Sequence, residues 1–256
     1  MQPRPALIPR AQLASSASLP LAWVAIGAAW LVAAVAQMSG QSALLHHHAL
    51  IEGGPPIGIS VLLFAVGWLT MTAAMMLPAS LGAIGTYESA AAGRSGASVA
   101  AFVGAFFLVW LVVGMTFFMG DVVLHAVVEA TPWIAERAWV LEAGVVGLAG
   151  AYQFVPLKRR FLEACRQPQA AAHVDRPGFE AGVAHAVDCL VSSGPMMLLM
   201  FAAGLANVWW MLGLAGVMAY EARGRHGQRV ASVAGAALLA LALLALTHAG
   251  LPAWAA

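Results

Sequence analysis

The chain has 256 residues, 62% of them hydrophobic and 9% charged, with a formal net charge of +1 and a mean hydropathy of +0.84. A soluble domain carries about 25% charged residues, so a water-facing globular body, a disordered chain and a charged coiled coil are excluded. The near-neutral balance offers no field for nucleic acid, and unbroken apolar runs exclude an outer-membrane barrel, whose strands alternate.

What remains is an all-α, polytopic transmembrane helical bundle whose first partner is the lipid bilayer. Residues 1–20 read as a cytoplasmic N-terminal segment, 21–250 as a single transmembrane domain and 251–256 as a short C-terminal tail. Seven apolar spans are predicted at about 21–38, 58–86, 98–119, 138–157, 180–205, 207–222 and 230–250. Eleven of the twelve Lys and Arg residues fall in the connections on one side, and only Arg137 lies on the other. Cytoplasmic loops carry the excess of positive charge, so the N-terminus is expected inside and the C-terminus outside. Arg4, Arg10, the apolar run and Ala34-Val35-Ala36 also resemble a cleavable signal peptide. The location expected on either reading is a bacterial inner membrane.

Along the chain, His46, His47 and His48 fall in the first outer loop, where adjacent imidazoles could capture a metal ion. In the second span Met71 and Met75 share a face, while Met76 points elsewhere. Tyr152 and Gln153 close the fourth span, and Gly144, Gly147 and Gly150 allow close helix approach there. Cys165 then falls at or just beyond the cytoplasmic interface. The 158–178 stretch is basic and polar, and reads as a docking loop. Its Lys158, the one lysine among eleven arginines, reads as compositional bias.

The fifth span holds the most unusual content. His185, Cys189, Ser192, Met196 and Met200 lie on one helical face, with Asp188 at its edge and Ser193 and Met197 close by. Ionisable groups inside a bilayer face a bundle interior or a polar pathway. Imidazole, thiolate and thioether together suit a soft or borderline ion such as Cu(I). Gly194-Pro195 frees a carbonyl, since proline has no N–H to donate. Depth places Met75, Met76, Tyr152, Gln153, His185 and Cys189 at one level.

Three blocks between Trp68 and Glu221 carry a family resemblance: Met71 to Pro78; Tyr152-Gln153 with Pro156-Leu157-Lys158, Cys165-Arg166 and Pro168; and Gly182, His185, Cys189 and Met197 followed by Asn207 and Trp210-Met211. Together they resemble a family of predicted metal-binding integral membrane proteins, domain-of-unknown-function family 2182. The chain departs from that pattern at Phe161, where the family has a further Cys, at Ser192-Ser193, where it has a Cys-Cys pair, and at Gly194, where it has a Trp. The resemblance implies a helical membrane fold, a bound metal and a small soluble partner at the cytoplasmic or periplasmic face.

The expectation is a copper-binding membrane protein that moves or delivers the ion, with no organic cofactor. His46–His48 would capture it, Met71, Met75, Met76, Met196, Met197 and Met200 would line a path, His185 and Cys189 would bind it, and Cys165 would hand it on. Asp188, Tyr152, Gln153, Ser192 and Ser193 would support the site or carry protons. The alternative is a metal-free platform that docks a partner on the 158–178 loop. No enzyme is expected: Ser192, His185 and Asp188 on one helix within seven residues are poorly placed for a nucleophile, base and orienter.

Overall fold

The computed structural model describes residues 18–39, 50, 55–90, 96–166, 173–203 and 207–247. Among these the chain forms nine helices. They are α1 (Ser18–Met38), α2 (Ile57–Ala90), α3 (Gly96–Glu129), α4 (Pro132–Ala135), α5 (Ala138–Tyr152), α6 (Pro156–Arg166), α7 (Gly178–Ala203), α8 (Val208–Arg223) and α9 (Gly227–Thr247).

Among the described residues, five helices are long and apolar enough to cross a membrane: α1, α2, α3, α7 and α9. A sixth crossing is counted if α5 and α6 form one broken span, bent by 65°. The expected seven are therefore only partly realised. At 15 and 16 residues, α5 and α8 fall short of the roughly 20 residues that a full crossing takes.

The shortfall in α5 has a local cause. The fourth apolar segment was expected to run unbroken to residue 157, but its helix ends at Tyr152. A residue before proline is driven out of the helical region, and Pro156 imposes that on Val155. The chain tightens through bonds from Gln153, Phe154 and Val155 N–H to the carbonyls three residues back, at 3.1 to 3.2 Å. It then restarts as α6 in a new direction. The expected 158–178 loop is thus helical as far as Arg166, and Lys158 is buried rather than exposed. By contrast, Asn207 caps α8 as its side chain suits, accepting from Trp209 and Trp210 N–H at 3.1 and 3.2 Å.

Side-chain bonds tie the helix ends together. Ser18 binds Glu88, joining the start of α1 to the end of α2. The Tyr87 hydroxyl meets Ser98 Oγ at 3.0 Å and donates to the Arg176 carbonyl at 3.3 Å, bringing in the start of α3 and the approach to α7. Helix α2 lies among α1, α3 and α8. Met76 is therefore buried along with Met71 and Met75, although it points off their shared face.

Candidate metal centre

The site is built on α7, which is pressed against the backbone of α3. A Cβ added at Gly182 would lie 2.2 Å from the Phe102 carbonyl oxygen, so only glycine permits this approach. One turn on, the His185 ring stacks with Phe102 and Phe106, with centroids 5.6 Å from each. A further turn brings the Cys189 sulfur 3.6 Å from His185 Nε2 and 3.9 Å from Ser80 Oγ of α2. His185 and Cys189 are both buried.

Helix α6 brings the second thiol. Lys158, Leu162 and Cys165 are spaced by four and three, which puts them on one face. Lys158 and Leu162 are buried and Cys165 is half-buried. Cys165 and Cys189 reach the same cavity from separate helices. With His185 they line a cavity of about 260 Å³, walled by Ala79, Gly82, Ala83, Ala222 and Arg223.

A buried ion pair fastens α6 in this position. Lys158 Nζ lies 2.8 Å from Glu221 Oε2 of α8 and 3.9 Å from the Met196 sulfur, and it also donates to Gln153 Oε1. Three ammonium protons thus face three acceptors, with both charged side chains 1% exposed. Gln153 Nε2 and Glu221 Oε1 have no hydrogen-bond partner among the described residues. Sequence reasoning missed the roles of Lys158 and Glu221. The available signal was the solitary lysine on the same helical face as Cys165.

The other predicted site residues are distributed around this centre. The Tyr152 hydroxyl donates to the Val191 carbonyl at 2.7 Å. Val191 is the residue four before Pro195, so the carbonyl freed by the proline is already occupied. Ser192 Oγ binds the Cys189 carbonyl at 3.1 Å and lies 3.4 Å from Ser193 Oγ. The Asp188 carboxylate is held by His173 Nε2 at 2.8 Å, on the wall of a separate groove. Met71, Met75, Met76, Met196, Met197 and Met200 all fall in the core cluster that contains Cys189. His46, His47 and His48 lie outside the described residues. Laterally, α2 meets α7 at Ser80 and Cys189, and α5 meets it at Tyr152 and Val191.

Among the described residues, no three His, Cys, Asp or Glu side chains form a group that could hold a metal ion. The arrangement is a pair of sulfurs with an imidazole alongside. Cu(I) suits such a set, because soft thiolates select it and it accepts few ligands.

No curated protein and no solved structure matches the chain. A family model described as a copper chaperone, PpoB2, matches residues 64–245, well over half the chain. The matched span takes in α2 through most of α9, including both cysteines, His185 and the Lys158–Glu221 pair. The chain therefore belongs to the PpoB2 copper chaperone family.

Proposed function

We propose that the protein is a membrane-embedded copper chaperone that holds Cu(I) on Cys165 and Cys189, with His185 beside them. The observation that carries this reading is that the chain's two cysteines come from separate helices and line one cavity. Cys165, the less buried of the two, passes the ion to a small soluble partner. The protein is a carrier on this reading, not a catalyst, and delivery is driven by ligand exchange. The one-sided basic residues favour a bacterial inner membrane with this end of the bundle facing the cytoplasm.

The methionines are given a packing role. The Lys158 ammonium lies beside the Met196 sulfur, where it repels a second cation. Met71, Met75, Met76, Met197 and Met200 fill the core, as unbranched side chains do. The metal-free platform reading is weakened, because Lys158 points inward and residues 156–166 are docked as a helix.

The test is elemental analysis of purified protein after Cu(I) loading under reducing conditions and dialysis against a Cu(I) chelator. About one copper per chain is expected, lost in Cys165→Ser and in Cys189→Ser and reduced in His185→Ala. Copper that is indifferent to both cysteine changes overturns the reading.

A further inference from the structure

We propose that the cavity beside Cys165 and Cys189 admits the ion together with its carrier, a small thiolate bearing a carboxylate. The carrier sulfur enters the cavity still bound to copper, and its carboxylate meets Arg223 until Cys165 displaces it. This inference rests on the copper reading of the two thiols and names the form in which the ion arrives.

The first support is volume. A cavity of about 260 Å³ far exceeds the room a lone ion needs, since one water takes about 30 Å³ of liquid. The second is the character of its walls. Ala79, Ala83 and Ala222 bring only methyl groups, and at Gly82 an added Cβ would meet nothing within 4 Å. Glycine is unfavourable in a helix interior, and here its missing side chain leaves room in the wall of the cavity that the thiols line. The third is charge. Arg223, in the last turn of α8, is an exposed guanidinium on the cavity wall, and its fork matches a carboxylate. Space, apolar small-residue walls and one cation beside two sulfurs fit a short carboxylated thiol.

The exchange balances without redox change. Cu(I) arrives on two carrier thiolates. The bond from copper to one carrier sulfur breaks as the bond to Cys189 forms, and that carrier departs as free thiol with the Cys189 proton. Copper then bridges Cys189 and the retained carrier. Cys165 repeats the exchange: its sulfur joins copper, and its proton leaves with the second carrier. Copper remains Cu(I) and the net charge is unchanged in each step.

Replacing Cys165 with serine stops the second exchange and traps the carrier. Equilibrium dialysis of Cys165→Ser with Cu(I) and radiolabelled 3-mercaptopropionate should retain one thiol per chain, and none without copper. The neutral analogue 3-mercaptopropanol should bind about fivefold more weakly, the scale of one exposed ion pair. Arg223→Gln should make the two thiols equal, and Gly82→Leu should expel both. The proposal is overturned if Cys165→Ser retains no thiol although the unaltered protein holds copper, or if the two thiols bind equally to Cys165→Ser. Copper absent from the unaltered protein as well would instead remove the copper reading beneath it.

Discussion

The Tyr152 hydroxyl occupies the carbonyl of Val191, the group that Pro195 leaves without its helical donor. One side chain from α5 thus repairs the break in α7 and fixes the two helices to each other two residues beyond Cys189. Tyr152→Phe would leave that part-buried carbonyl unpaired, at a cost of about 1 kcal/mol. A lowered unfolding temperature in detergent, with copper content retained, is the expected result. An unchanged midpoint would show that the bond contributes nothing.

The Lys158–Glu221 pair has an asymmetric signature. Burying both charges together is tolerable, whereas removing one leaves the other unpaired in a dry site. Lys158→Met should therefore destabilise the protein by about 3–5 kcal/mol, and the double variant Lys158→Met/Glu221→Leu should recover most of it. Because the pair holds α6, Cys165 should react faster with a maleimide in Lys158→Met than in the unaltered protein. Denaturation midpoints and labelling rates measured on the same three proteins decide the point.

Gly182 makes the most demanding helix contact in the site. Even Gly182→Ala introduces an atom where the Phe102 carbonyl already lies, 2.2 Å from the added Cβ. Helix α7 must move off α3, at about 1–3 kcal/mol, the range for overpacking. His185 should then lose its stacking with Phe102 and Phe106, which imidazole chemical shifts would report. Gly144, by contrast, has open space at its Cβ position, and Gly144→Ala should be neutral or slightly stabilising.

The turn into α7 is held by a different pair. His173 has φ of 45°, in the left-handed region that costs a non-glycine residue about 1–2 kcal/mol. Its ring reaches Asp188 at 2.8 Å, and that bond holds the turn in place. Asp188→Asn should loosen it and raise the rate of limited proteolysis at residues 173–177, while the α7–α3 contact stays intact. Equal cleavage rates in the two proteins would show that the pair does not hold the turn.

The sequence reveals most clearly what depends on apolar run length. The long helices α1, α2, α3, α7 and α9 each follow from an extended apolar run, and their ends differ from expectation mainly by added turns. Segment 138–157 misleads because apolar residues continue past the point where Pro156 disrupts the helix. The site is legible in part: periodicity brings His185 and Cys189 onto one face. Cys165 approaches Cys189 only because the 65° bend returns α6 to the bundle, and a lateral meeting of that kind leaves no periodic trace. Lys158 was hidden by its own charge. A basic residue between two spans is assigned to a loop by any rule that counts charges, yet its acceptors come from α8, α7 and the turn after α5.

The burial of Lys158 also makes the protein its own reporter. It is the chain's single lysine, and its amine is sealed inside the fold. An amine-specific acylating reagent can therefore modify the closed bundle only at the amino terminus. Any second acyl group marks a molecule in which α6 has swung away, so the mass of the acylated protein counts opening events against no background from other lysines.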